Sequence, residues 1–168
     1  MIDPRFSLLD HNDNPVSEHD FRGRWMLVYF GFTNCQVVCP RSLGKLTQVL
    51  DDLGEVAQKI ASLYITVDPA RDTPAVMKQW LEANYPQFTG LTGSAEQVDD
   101  AKTAFRVFAQ PKADVNASEG YVVPHTAIAY LIDPQGQYCA HFIDSIPRET
   151  IAARMLAIIS KEEVQSNA

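Results

Sequence analysis

Apolar residues along this chain fall into two alternating patterns: short unbroken runs, and longer stretches in which they recur every three or four positions. The first pattern is that of strands covered on both faces, the second that of helices with one buried stripe. Met26 to Phe32 is apolar and aromatic throughout and predicts a central strand. Directly after it, Leu43, Leu46, Leu50 and Leu53 keep helical spacing until Gly54, with Thr33 or Asn34 as the predicted cap. Ala61 to Val67 predicts a second buried strand, and Thr73-Pro74 a capped helix start that runs through Trp80 and Leu81.

Ser94-Ala95-Glu96-Gln97 has the form of a capping box and opens a helix with Ala101, Ala104, Phe105 and Phe108 inward. A polar stretch from Gln110 to Gly120 follows. Thr126–Ile132 and Tyr138–Ile143 flank the turn formers Asp133-Pro134-Gln135-Gly136 and predict an antiparallel hairpin. Pro147 starts a last helix with Ile151, Met155, Leu156 and Ile159 as its buried face. At the other end, Arg5 to Leu9 and the turn residues His11 to Pro15 predict a small N-terminal hairpin. After that hairpin the order is strand, helix, strand, helix, helix, strand, strand, helix. It specifies an α/β fold, a mixed sheet with helices on both faces.

Composition fits one such unit. With 168 residues and 46% hydrophobic content the chain has material for a single core, so residues 1–168 are expected to form one domain, ordered over about 5–160. A net charge of -7, with no run of Lys and Arg, excludes nucleic acid as a partner and gives no polybasic contact with lipid. Trp25 to Phe32, the longest apolar run, is far shorter than the roughly 20 residues of a membrane helix. Membrane contact is expected only through an N-terminal anchor that these residues do not contain.

Two of the three cysteines, Cys35 and Cys39, stand at the predicted strand-to-helix junction. Four helical steps of about 1.5 Å would set their Cα atoms about 6 Å apart on one face, within reach of a disulfide or of one shared soft metal ion. The partial positive charge of a helix N-terminus favours thiolate, which serves metal capture and thiol exchange equally. Spacing alone leaves both chemistries open, along with simple core packing.

The run Val28-Tyr29-Phe30-Gly31-Phe32-Thr33-Asn34-Cys35-Gln36-Val37-Val38-Cys39-Pro40 resembles the signature of the Sco/SenC family. Other blocks agree in order: Phe6 to Asp10, Thr66-Val67-Asp68-Pro69-Ala70-Arg71-Asp72-Thr73-Pro74, Gly90 to Gly93, Pro124-His125-Thr126, and Tyr130 to Gly136. The resemblance implies a thioredoxin-like fold and a copper ion held by Cys35, Cys39 and the distant His125, a donor set that would suit Cu(I), and Cu(II) with an added water or other ligand. It further implies a metallochaperone that delivers copper to the CuA site of cytochrome c oxidase. The partners implied are subunit II of that oxidase, or another copper acceptor protein, and a thioredoxin-like reductant. The location implied is the periplasmic face of the bacterial inner membrane, reached through an N-terminal helix, rather than the mitochondrial intermembrane space.

Relatives typically carry His-Cys-Pro-Asp-x-Cys and an Asp before the histidine, whereas this chain has Asn34, Gln36, Val37 and Pro124 at those places. One imidazole and two carboxylates are thereby removed from the neighbourhood of the ligands. The alternative function is a thiol-disulfide oxidoreductase that reduces acceptor cysteines, with Cys35 as nucleophile and Cys39 resolving. A peroxide-reducing enzyme fits less well, because a cysteine pair one turn apart with a distal histidine is not the usual pattern of peroxiredoxins. Elsewhere, His11 and His19 are expected in solvent. Cys139 and His141 should lie on an edge strand, and Trp25, Tyr29 and Phe32 in the core. Asp68, Arg71 and Asp72 are read as a charged turn capping the helix that follows.

Overall fold

Two strands buried at every position, Trp25–Gly31 (β3) and Ile60–Thr66 (β4), run parallel to each other inside a seven-stranded sheet. The fold is that of a computed structural model describing residues 2–33, 38–107, 112–113, 121–122 and 127–166; for 38–40, 112–113, 121–122 and 164–166 it describes the backbone alone. The unbroken apolar runs are explained by two cores. Trp25, Leu27 and Tyr29 of β3 project into one, and Met26, Val28 and Phe30 into the other, on the opposite face of the sheet.

The first core is closed by three helices. Val38–Leu53 (α1) contributes Leu43, Leu46, Val49, Leu50 and Leu53, and Pro74–Asn84 (α2) contributes Met77 and Leu81. Arg148–Ser166 (α4) adds Ile151, Met155 and Ile159. On the opposite face, Ala95–Phe105 (α3) buries Val98, Ala101 and Phe105. Local signals act as their chemistry requires. The Thr73 side chain accepts from the Val76 N–H, Ser94 and Gln97 form the capping box, and Gly54 takes φ +60° just past α1.

The sheet order is β2-β1-β5-β4-β3-β8-β9. The N-terminal hairpin forms as expected from Ser7–Asp10 (β1) and Pro15–Ser17 (β2), and Ile128–Ile132 (β8) pairs antiparallel with Tyr138–Ile143 (β9). A mixed sheet with helices on both faces is thus confirmed. Lys112–Ala113 (β6) and Tyr121–Val122 (β7) form a separate antiparallel pair, in the region read as a polar connection and the residues just after it.

Several expectations are corrected. Phe88–Thr92 (β5) is a strand that the pattern did not predict, parallel to β4 and antiparallel to β1. It therefore links the N-terminal hairpin to the rest of the sheet. The middle of the sheet is β4, and β3 lies one place to its side, between β4 and β8. Leu156 is 44% exposed, because only every third or fourth residue of α4 reaches the sheet and Met155 takes that place. The Thr33 hydroxyl is engaged by Asp72 rather than by α1, and the alternative cap, Asn34, lies outside the described residues. Phe108 lies outside the described residues.

Candidate functional site

The last residues of β3 deliver the chain to the end of the sheet where the cysteine segment starts. Val67 N–H donates to the Gly31 carbonyl (2.8 Å), Phe32 is buried, and the Thr33 N–H donates to Asp72 Oδ2 (3.0 Å). Asp72 also accepts from the hydroxyls of Thr33 and of Thr66 at the end of β4, the latter at 2.7 Å. Its own carbonyl accepts from Thr92 Oγ1 (2.7 Å), at the end of β5. One buried carboxylic acid and its backbone thus join the ends of three neighbouring strands at the point where the chain enters the cysteine segment.

Burial raises the Asp72 pKa above the ordinary value and nearby Asp68 adds to the effect, against the hydrogen bonds from Thr33 and Thr66. Next to it, Arg71 Nε pairs with Asp68 Oδ2, and the guanidinium lies 5.8 Å from the centre of the Phe32 ring. This corrects the reading of the 68–72 turn as a helix cap. The ion pair is there, but Thr73 caps α2, and the Asp72 carboxylate faces the β3 end instead.

Of the predicted ligands, Cys39 lies in the first turn of α1, where backbone N–H groups lack helical partners and the helix dipole is positive. Cys35, Gln36, Val37, Pro124 and His125 lie outside the described residues, as does the expected stacking of Cys35 on Cys39. What the described residues do establish is direction. Strand β8 runs antiparallel to β3, with Tyr29 opposite Ala129, so its start at Ala127 and Ile128 lies at the end of the sheet where β3 finishes and α1 begins. Among the described residues no group of three His, Cys, Asp or Glu is placed to hold a metal.

A second cluster at this end carried no signal in the sequence. Asp144, just beyond β9, accepts from Ser42 Oγ (2.5 Å) and Arg41 Nη2 (2.6 Å), both in the turn of α1 that follows Cys39. Lys45 donates to the carbonyls of Asp144 and Ile146, and the Asp144 N–H donates to the Ala127 carbonyl (3.2 Å). Burial disfavours the Asp144 carboxylate, but the hydrogen bonds from Ser42 and Arg41 and the charges of Arg41 and Lys45 outweigh it and hold its pKa below the ordinary value. The contacts with α1 span about a hundred residues of sequence, beyond the reach of any local pattern.

The remaining candidates are structural. Trp25, Tyr29 and Phe32 are buried, as expected. His19 is exposed, but His11 is half-buried, and its Nδ1 accepts from the Gly90 N–H (3.1 Å), contrary to the solvated reading. Cys139 and His141 are exposed on the edge strand β9. Partial burial of the Cys139 sulfur, with Asp133 and Glu162 nearby, pushes its thiol up to about 11, so it stays protonated at neutral pH.

A strand leading into a helix that carries a cysteine in its first turn, beside an antiparallel strand entering from the same end, defines a thioredoxin-like protein. The SCO1/SenC family model matches residues 1–160, and the chain belongs to that family. A "SCO2-like protein" of Rickettsia felis is 39% identical over 148 residues, 86% of this chain and 71% of that protein. The human "Protein SCO1 homolog, mitochondrial" is 37% identical over 150 residues, 88% of this chain and 50% of that protein. The family thus includes bacterial and mitochondrial proteins.

Among solved structures, Bradyrhizobium japonicum ScoI with copper bound superposes with a TM-score of 0.83 at 34% identity, over 94% of this chain and 99% of that one. BsSco, described as a member of the Sco family of cytochrome c oxidase assembly proteins and as having a disulfide switch, superposes with a TM-score of 0.70 at 25% identity, over 91% and 90% of the two chains.

Proposed function

We propose that this chain is a copper metallochaperone in which Cys35, Cys39 and His125 hold one copper ion and pass it to the CuA site of cytochrome c oxidase. The observation that carries the proposal is the convergence of the α1 N-terminus, with Cys39 in its first turn, and the start of β8, three residues after His125, at one end of the sheet. Two thiolates and one imidazole form a donor set suited to Cu(I), and an added water or other ligand would complete Cu(II). The helix terminus favours thiolate at neutral pH and so lowers the proton cost of loading. Exchange of one thiolate at a time for an acceptor thiolate would pass copper on without releasing a free ion. Copper-bound ScoI and the description of BsSco as an assembly protein support both the cargo and the destination.

The acceptor is taken to be subunit II of the oxidase or another copper-accepting protein. Delivery there would place the chain at the periplasmic face of the inner membrane, held by a preceding helix; among the described residues no helix is long and apolar enough to cross a membrane. The test is anaerobic Cu(I) titration against a chelator, with the protein reduced and oxidised. One equivalent should bind the reduced form and little the oxidised form, and His125→Ala should weaken binding. No stoichiometric complex, or one indifferent to His125→Ala, would falsify the assignment.

The disulfide switch described for BsSco favours a second activity at the same cysteines. Thiolate attack by Cys35 on an acceptor disulfide would form a mixed disulfide, which Cys39 resolves. The acceptor leaves as a dithiol, the Cys35–Cys39 pair is oxidised, and a thioredoxin-like reductant returns two electrons. Full reductase activity in Cys35→Ser would rule this out.

A further inference from the structure

We infer that Asp144 is a positioning residue that sets the α1 arm of the copper site against the His125 arm; the inference rests on the copper reading above. Through its side chain it holds Ser42 and Arg41, three and two residues beyond Cys39 on α1. Through its main chain it holds Ala127, two residues beyond His125, by the bond from its N–H to the Ala127 carbonyl. A single residue outside the ligand set therefore grips both arms.

The two grips are separable. Lys45 ties α1 to the main-chain carbonyls of Asp144 and Ile146, contacts that survive replacement of the Asp144 side chain. The ladder between β8 and β9, with Ile128 opposite Ile143, also remains. Asp144→Ala thus leaves the fold anchored but removes the two bonds that fix the turn of α1 next to Cys39. Ser42 is 3% exposed whereas the Arg41 side chain is 61% exposed, which makes the Ser42 contact the better shielded and the more constraining of the two.

In the reduced, copper-free protein carrying Cys35→Ser and Cys139→Ser, adding Asp144→Ala should change the rate at which Cys39 reacts with iodoacetamide. It should also shift the titration of the His125 imidazole followed by NMR. On the otherwise wild-type chain, Asp144→Ala should weaken Cu(I) binding measurably, by less than the about tenfold that loss of a group bonded directly to a ligand brings. Ser42→Ala should reproduce part of that loss. Gly90→Ala, which perturbs the core away from this cluster, should alter none of these readouts; if it alters them equally, the effect is general destabilisation and the inference is overturned. Unchanged alkylation and titration in the Asp144 variant overturn it too, as does unchanged copper affinity in a protein that binds copper. Should wild type bind no copper, the metallochaperone reading fails, and the copper-free measurements alone decide whether Asp144 couples the two arms.

Discussion

Replacing Asp72 with Ala leaves three donors facing a void: the Thr33 N–H, the Thr33 hydroxyl and the Thr66 hydroxyl. A hydrogen bond to a charged acceptor contributes about 1.5–3 kcal/mol, so the gross loss is about 4.5–9 kcal/mol. Two effects reduce it. Removing the carboxylate also removes its burial cost, which the raised pKa reveals, and half-buried Thr33 can take water in place of the lost oxygen. The expected net loss is about 2–4 kcal/mol, or about 5–15 °C in Tm for a chain of this size. Urea unfolding of the reduced, metal-free protein measures it.

The pH dependence of that loss follows from linkage. In the folded protein Asp72 keeps its proton to a higher pH than the ordinary value of 3.8. Its contribution is therefore fully present on the acid side of that value and declines as pH rises through the folded-state pKa. The cost of Asp72→Ala should be greater near pH 4 than at pH 7, and Asp72→Asn, which cannot ionise, should flatten the profile over the same range. A cost below about 1 kcal/mol at both pH values, or one that grows with pH, would refute the assignment of Asp72 as the buried tie between the strand ends.

Two further outcomes test the packing and the third cysteine. A Cβ at Gly90 would stand 2.9 Å from Leu81 Cδ1, 3.0 Å from Met77 Cε and 3.2 Å from Met77 Cβ, all in a closed core, so Gly90→Ala should destabilise by about 1–2 kcal/mol in chemical denaturation; a stabilised variant would show that α2 yields freely. Cys139, with its thiol pushed up to about 11, should react with iodoacetamide at pH 7 much more slowly than Cys39, and Cys139→Ser should leave copper stoichiometry unchanged; mass spectrometry after timed labelling reads the first and titration the second.

The parts of the fold legible in the sequence are those in which one local rule decides. The unbroken run at β3 reads as a doubly covered strand because both its faces are in fact buried, and Thr73-Pro74 and Ser94 to Gln97 act within their own helices. Strand β5 escaped because Gly90 interrupts its apolar run, yet that glycine is there because α2 packs so closely over the strand that no Cβ fits. At the site, the step from β3 to the helix that carries Cys39 is legible and its supports are not. Asp72 looked like a cap because it precedes a helix by two residues, but its acceptors are used 39 residues away at Thr33. Asp144 had no periodic or motif context, and its partners Ser42 and Arg41 are about a hundred residues distant.

This division also bears on the substitutions that set the chain apart from the usual family pattern. Asn34, Gln36, Val37 and Pro124 lie outside the described residues, in the two segments of sequence that carry Cys35 and His125, whereas Asp72, Thr33, Asp144 and Ser42 belong to the described scaffold on either side of them. Among the described residues the scaffold is held by two cores and by strand ends tied by a buried acid. Changes within the segments should therefore alter copper affinity and redox potential through the charge and polarity around the ligands while leaving unfolding free energy nearly constant. Changes at the ties should do the reverse at Asp72, where the contact is mainly structural, and should affect both at Asp144, where one residue holds α1 and the start of β8 together.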